Sequence, residues 1–497
     1  MRYLFTGIQS KELDNHAINT VGFPGLVLME KAAMTLASVL MEREDKRSGI
    51  LFVCGTGNNG GDGLAAARLM HQQGYRVAIL PVGDAAKLSP DAKKQLELAA
   101  ACDVPSVTAE ALFSPVYDVV ADGLFGVGLD RDITGVYEKV ILQINSSGKK
   151  VYAIDVPSGI NGNDGRVMNV AVKADITVTF GVNKCGLVLY PGCRYAGEVI
   201  IGDIGYPQAS YHAIENPAYY YETDDLKDII PKRDPEGHKG SFGCVSIIGG
   251  SRKMSGAALL SARAAYASGA GIVRVCSAGV NREIILTGIP EAIFTAYDGE
   301  EGELGESVLD EMIRYGDVVV LGPGLGNGDM SKQIVEYVIR HCDKPLVLDG
   351  DGISLCQREE LKGRKNVVIT PHPKEFSRIS GVPVAEIKDD LPAAVLNFSR
   401  ETGCVVAGKD ARTIVSDGKE VYVNVSGNSG MATGGSGDVL TGIIAGLAAQ
   451  GESLFQAAKT GVYVHGLAGD CFLEKYNEYS LTASELIENL KYVLNRR

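Results

Sequence analysis

Short runs of four or five apolar residues alternate along this chain with longer segments whose apolar positions recur at helical spacing. Residues 10 to 47 carry the first helical pattern, as in Leu26-Val-Leu-Met-Glu-Lys-Ala-Ala-Met-Thr-Leu-Ala-Ser-Val-Leu40. Ile50-Leu-Phe-Val-Cys54 then reads as a wholly apolar strand. The loop Gly55-Thr-Gly-Asn-Asn-Gly-Gly-Asp-Gly63 follows it and opens a helix from Leu64 to Met70, closed by Gly74. Strands at 76–80, 118–122 and 151–155 alternate with helices at 90–101 and 135–147, and β-rich runs at 176–180 and 198–202 complete the series. Strand, helix, strand predicts a parallel sheet with helices on both faces.

The pattern changes between residues 207 and 241, where tyrosines cluster at 219–221 and a polar, turn-rich stretch runs from Pro231 to Gly240. This reads as a domain connection. A second series follows, with strands at 243–249, 272–275, 318–321, 346–348 and 367–369 and an Ala-rich helix at 254–268. A glycine-rich loop and two long helices end it. The expected fold is α/β throughout. Residues 1–222 form a Rossmann-like three-layer sandwich around a parallel sheet, and residues 223–497 form a second α/β domain.

At 497 residues the chain is too long for one ordinary core, in keeping with more than one domain. Apolar content of 45% with 22% charged residues describes a globular protein and excludes disorder. The net charge of −13, with no cluster of Lys and Arg, argues against a nucleic-acid partner. The ten cysteines show no metal-ligand spacing and read as buried thiols of a reducing cytoplasm. No stretch reads as a signal peptide or a membrane span, so a cytoplasmic location without membrane attachment is expected.

Two glycine-rich loops carry the candidate chemistry. The second is Asn428-Ser-Gly-Met-Ala-Thr-Gly-Gly-Ser-Gly-Asp438, followed by the apolar run Val439–Ala449. Small side chains let backbone approach a ligand, and the free N–H groups of the following helix favour an anion such as phosphate. Asp438 at the helix start can take a proton from a hydroxyl under attack. The alternative is a glycine-rich turn capped by an aspartate. Lys409 and Arg412 can offset phosphate charge, and His372 is held rigidly between prolines or serves as a turn histidine.

In the first loop, Gly55-x-Gly57-x-x-Gly60 matches the dinucleotide fingerprint by letter. Asn58, Asn59 and Asp62 fill that loop with polar side chains, and no acidic residue directly ends the next strand, so a plain hydride-transfer domain is the weaker reading. Asp122 and Asp155 close strands of the parallel sheet, at the edge where ligands bind. Oxygen atoms from Asn59, Asp122 and Ser158 would suit a hard cation; capped turns are the alternative. Lys184 stands as either a ligand contact or a solvated lysine. His16, His71, His238 and His465 are scattered and read as structural or exposed.

The stretches 58–63, Asp122-Gly-Leu-Phe-Gly-Val-Gly-Leu129 and Ile154-Asp-Val-Pro-Ser-Gly159 together resemble the NAD(P)H-hydrate epimerase family of the YjeF N-terminal type, over about residues 1 to 220. The resemblance implies that the damaged dinucleotide is held by Asn58, Asn59, Gly60, Gly61, Asp62, Gly126, Val127, Gly128, Leu129, Asp130, Arg131, Asp132 and Asp155. It implies K+ at Asn59, Asp122 and Ser158, and Asp155 as the acid/base at C6 of the nicotinamide ring. Ile248–Ala258, Gly322–Gly326, Thr370–Glu375, Gly408–Thr413 and the second glycine-rich loop resemble the ribokinase-like ADP/ATP-dependent NAD(P)H-hydrate dehydratases, over about residues 225 to 497. That resemblance implies hydrate contacts from Ala257, Gly324, His372 and the catalytic Asp438. It also implies nucleotide contacts from Lys409, Asp410, Ala411, Arg412, Thr413, Asn428, Thr433, Gly434, Gly435, Ser436 and Gly437, with Mg2+ and ADP as co-substrate. A homo-oligomer is expected. Two readings compete with repair of hydrated NAD(P)H. One is a ribokinase-like small-molecule kinase; the other gives the first domain a non-catalytic, dinucleotide-binding role.

Overall fold

The computed structural model describes residues 1–298 and 304–495, which form two compact units. One unit runs from Tyr3 to Pro217; the other contains Ala218–Arg497 together with Met1–Arg2.

In the first unit a six-stranded sheet has the order Val77–Pro81, Ile50–Cys54, Val119–Gly123, Lys150–Ile154, Ile176–Phe180, Glu198–Gly202, with all neighbours parallel. Side chains alternate across the strand Ile50–Cys54. Ile50, Phe52 and Cys54 enter a core with Leu36, Leu40 and Leu64, from the helices Gly25–Arg43 and Asn58–Gln72. Leu51 and Val53 enter another core with Ile141 and Ile144, from the helix Val136–Ser146. A strand that is apolar at every position is the sequence sign of a sheet covered on both faces. This is the expected three-layer sandwich. The order reverses at Ile50–Cys54, whose neighbours are the next strand on one side and Val119–Gly123 on the other. Such a reversal opens a crevice at the carboxyl ends of the strands.

The expected helix over 10–47 is three pieces: Gly7–Asn15, a wider turn at His16–Thr20, and Gly25–Arg43. Gly22 takes φ +90° and Pro24 has no N–H to continue the preceding helix, so the chain must break there. Thr6 and Gln9 form a reciprocal capping box on the first piece. Before it, Arg2–Phe5 is a strand, with Leu4 and Phe5 paired in parallel with Asn183 and Lys184.

The helix expected from Leu64 begins at Asn58, which puts Asn58, Asn59 and Asp62 in its first turns rather than in a loop. Gly60 explains how the helix can start so close to the strand. A Cβ at that position would lie 2.0 Å from the Gly55 carbonyl oxygen. Gly60→Ala is therefore expected to destabilise this unit by about 3 kcal/mol, because backbone must yield; thermal unfolding would show it as an earlier transition.

In the second unit seven strands run parallel in the order Ile293–Ala296, Ile272–Ser277, Cys244–Ile248, Val318–Leu321, Leu346–Leu348, Val367–Ile369, Val405–Gly408. Ile414–Ser416 and Val421–Val423 continue the sheet antiparallel. Helices Ser255–Ala267, Ser436–Ala449, Leu454–Leu473 and Ala483–Leu494 pack into one large core with the sheet. Small residues make the closest crossing possible: a Cβ on Gly442 would fall 2.2 Å from the Ser261 carbonyl oxygen. The glycine-rich loop thus leads into a helix clamped on several sides.

Candidate active sites

The first site is a cavity of about 340 Å³ in the first unit, lined by Asn58, Asp62, Val127, Asp155 and Lys184, among others. Asp155 lies one residue past the strand Lys150–Ile154 and takes φ +65°, a left-handed conformation that a non-glycine residue holds only under local constraint. The constraint is visible. Its N–H donates to the Val178 carbonyl, and its Oδ1 accepts from Lys184 Nζ at 2.6 Å and Thr179 Oγ1 at 3.0 Å. Lys184 Nζ also donates to Thr179 Oγ1 and to the Phe180 carbonyl, and its side chain is only 3% exposed. The solvated-lysine reading is therefore wrong: Lys184 is the buried ionic partner of Asp155. Asp62 faces the same cavity. Burial pushes its carboxyl well up, and the charges of Asp155 and Asp14 push the same way.

The other residues expected here divide by environment. Gly61 packs against Met29, where a Cβ would be 2.7 Å from the methyl carbon. Gly60 is packed against Gly55, Leu129 is buried among core side chains, and Asp130, Arg131 and Asp132 are exposed. Gly126 meets Asn59: a Cβ there would lie 3.1 Å from Asn59 Oδ1.

Asp122 and Ser158 meet beneath this loop. Asp122 is fully buried, and its carboxylate accepts from Ser158 N at 2.8 Å, Ser158 Oγ at 2.7 Å and Leu124 N at 3.2 Å. Burial nevertheless raises its pKa to about 6, opposed by these hydrogen bonds and by no basic side chain. Asn59 Nδ2 is buried with no hydrogen-bond partner, and a half-turn of the amide would present its oxygen instead. A buried carboxylate lacking a positive partner, beside an unsatisfied amide, fits a cation held by mixed oxygen ligands. Among the described residues, no three His, Cys, Asp or Glu side chains group closely enough to hold a metal by themselves.

The second site is built on the helix Ser436–Ala449. Gly435, at φ +88°, caps it, and Asp438 sits in its first turn with its carbonyl accepting from Ser261 Oγ. A Cβ on Gly437 would lie 3.1 Å from Lys409 Nζ, so the lysine crosses directly over the helix start. Lys409 pairs with Asp349 at 3.0 Å, and Asp349 Oδ1 also accepts from Thr370 Oγ1 at 2.6 Å. Burial raises Asp438 to about 7, with Asp349 adding to the rise and Lys409 opposing it. A carboxyl poised there changes protonation near neutrality, as a general base requires.

Residues 409–413 form the turn between strands Val405–Gly408 and Ile414–Ser416. Asp410 accepts from the Ala411 N–H, Arg412 donates to the Val425 carbonyl, and the Thr413 carbonyl accepts from Asn424 N–H. Ala257 and Gly324 touch: a Cβ on Gly324, itself at φ +60°, would be 2.7 Å from the Ala257 methyl. His372 caps the helix Pro373–Ser380, its Nδ1 accepting from the N–H groups of Lys374 and Glu375. That bonding leaves Nε2 to carry the proton, 3.4 Å from Glu375 Oε1. The ring is half exposed and held in one orientation.

Several supporting groups were invisible in the sequence. His465 is buried, not exposed, and its Nε2 lies 3.4 Å from Ser436 Oγ; burial, with Lys409 adding, depresses its pKa to about 4. It stays neutral beneath the loop. Asp470, further along the same helix, accepts from Gly427 N at 2.8 Å and Asn428 Nδ2 at 3.0 Å, which fixes the loop's entry.

The fold and the two sites define a two-unit α/β protein with a polar site at the sheet edge of each unit. A family signature described as "NAD(P)H-hydrate dehydratase" matches residues 245–491, and one described as "YjeF-related protein N-terminus" matches residues 25–186. The bifunctional NAD(P)H-hydrate repair enzyme Nnr of Thermofilum pendens is 36% identical, covering 97% of this chain and 94% of that protein. The enzyme of the same name from Coxiella burnetii is 34% identical, with each chain fully covered. A solved ribokinase-like superfamily protein of Enterococcus faecalis is 31% identical over 56% of this chain and 96% of its own, with a TM-score of 0.52. The chain belongs to the bifunctional NAD(P)H-hydrate repair enzyme family.

Proposed function

We propose that this protein repairs hydrated NAD(P)H with two activities. Residues 1–222 interconvert the R and S hydrates at C6 of the nicotinamide ring, and residues 223–497 dehydrate the S hydrate at the expense of ADP. The observation that carries the second activity is Asp438, in the first turn of the helix behind the glycine-rich loop, beside the Lys409–Asp349 pair. Asp438 takes the proton of the C6 hydroxyl, whose oxygen attacks the terminal phosphorus of ADP, and the bond to AMP breaks. The N–H groups of 434–437 face the transferring phosphate. Phosphate then leaves C6 as the ring nitrogen supplies its electron pair, and loss of a proton from C5 restores the double bond.

Lys409 to Thr413, Asn428 and Thr433 to Gly437 surround the nucleotide, while Ala257, Gly324 and His372 hold the hydrate with Asp438. Asp349 and Asp351, which act electrostatically on Asp438, are the carboxylates suited to Mg2+ carried on the phosphates. When bound, that ion offsets developing negative charge. In the first unit Asn58, Asp62 and Val127, which line the cavity, hold the hydrate against Asp155, and the rest of 58–62 and 126–132 shapes the two segments that carry them.

K+ is the cation for Asn59, Asp122 and Ser158, on the support of the buried Asp122 carboxylate and the unpartnered Asn59 amide. Bound there, it would supply the positive charge that the Asp122 carboxylate lacks. Exchanging K+ for a large organic cation is expected to slow epimer interconversion at least about tenfold and leave dehydration unchanged. Following both rates in the same preparation checks this.

A homo-oligomer is supported by apolar side chains exposed near the N-terminus, Ile8, Val27 and Met34 among them. A cytoplasmic setting is supported by buried free thiols, Cys54, Cys244, Cys276, Cys342, Cys356 and Cys404 among them. Phosphate release decides the chemistry: one free phosphate should appear for each reduced nicotinamide recovered. A stable phosphorylated product in its place would make the protein a kinase.

A further inference from the structure

Asp14 and Tyr206, two ionisable side chains of the first cavity, take no part in the chemistry above. Asp14 lies in the last turn of the helix Gly7–Asn15, and Tyr206 follows the strand Glu198–Gly202; both line the cavity with Asp155 and Lys184. The Tyr206 hydroxyl donates a short hydrogen bond to Asp14 Oδ1, and its ring is set edge-on to Tyr211, with centroids 6.0 Å apart. That bond occupies one oxygen of the carboxyl and leaves the other for the cavity. Asp155 is held by a wholly different set, Lys184 and Thr179. Asp14 and Asp155 are therefore separately oriented carboxyl groups on separate elements of this cavity.

Inverting C6 requires the hydroxyl to leave one face of the ring and water to enter the other. A single carboxyl beside one face cannot serve both events without the ring turning over. We propose that Asp14, oriented by Tyr206, is a second proton-transfer residue of the epimer exchange, working from the face of the ring opposite Asp155. The inference rests on the epimerase reading of this cavity. In one direction the proton of Asp14 passes to the departing hydroxyl as the C6–O bond breaks. The N1 lone pair forms the C6=N1 bond, and one water is released. A water then adds from the Asp155 side: the new C6–O bond forms, the π pair returns to N1, and Asp155 accepts the proton. The reverse direction exchanges the two roles, and solvent resets the protons.

The electrostatics agree. Burial pushes the Asp14 carboxyl above the usual range, Asp155 adds to the rise, and the Tyr206 bond and Lys184 oppose it. Burial also keeps the Tyr206 hydroxyl protonated as a donor. Asp62 and Asp91 face the cavity from two other helices, and Lys11 from the helix of Asp14 itself.

The test is the rate of epimer exchange from each pure hydrate across pH, for wild type, Asp14→Asn and Tyr206→Phe. Asp14→Asn should lower kcat by about 10²-fold or more, with KM changed only a few-fold, and should lose the alkaline limb of the profile. Tyr206→Phe removes the bond that lowers the Asp14 pKa, so its alkaline limb should move to higher pH with a smaller loss of rate; this variant decides the matter where Asp14→Asn fails to fold. An unchanged kcat and profile in Asp14→Asn, or a loss confined to KM, overturns the role of Asp14. A wild-type protein that exchanges no epimers overturns the epimerase reading itself, which is a different result.

Discussion

Asp438→Asn is expected to lower ADP-driven dehydration of the S hydrate by about 10²–10⁴-fold, with epimer exchange unchanged. The amide keeps the size of the side chain and its place in the first turn, so the loop and the nucleotide contacts should survive. What is lost is the base. Because burial and Asp349 raise the wild-type carboxyl to about 7, its ionised fraction grows as pH rises through neutrality. The wild-type dehydration rate should rise with it and level off above about 7, and the variant's residual rate should lack that limb. Loss of both activities from this one substitution would contradict separate sites.

Asp155→Asn should abolish epimer exchange to a similar extent and leave dehydration of the pure S hydrate at its wild-type rate. It carries a second consequence. Lys184 is almost wholly buried, and its ammonium would lose its ionic partner. Removing one member of a buried pair costs about 3–5 kcal/mol, whereas replacing both members by neutral groups of similar volume is close to neutral. The double variant Asp155→Asn with Lys184→Met should therefore regain most of the lost thermal stability while remaining unable to exchange epimers. A double variant that regained exchange would show that Asp155 serves the fold and not the reaction.

The strands Ile50–Cys54 and Val318–Leu321 were legible because a buried parallel strand is apolar at every position, and Ile176–Phe180 because it is built of β-branched and aromatic residues. The helix Pro90–Ala101 was legible because Ser89 caps it and Pro90 opens it. The strand Arg2–Phe5 was not, since its partner lies about 180 residues away at Asn183–Lys184 and the segment has no pattern of its own. The glycine-rich stretches were legible from sequence, yet the Asn58 loop proved to be the first turns of a helix, possible only because Gly60 lets it sit against Gly55. At the sites, Asp155 and Asp438 could be picked out from strand-end and helix-start positions. Their partners could not. Lys184, Asp349, His465 and the Asp14–Tyr206 pair are joined to the sites by tertiary contacts that leave no mark in spacing.

The most direct measurement is recovery of reduced-nicotinamide absorbance from mixed-epimer hydrated NADH, with Mg2+ and K+, in the presence of ADP or ATP. Recovery is predicted to run to completion with one of the nucleotides, consuming both epimers and releasing one phosphate for each NADH regained. Recovery that stops once the S hydrate is exhausted would contradict the epimerase half of the account, and no recovery with either nucleotide would contradict the whole.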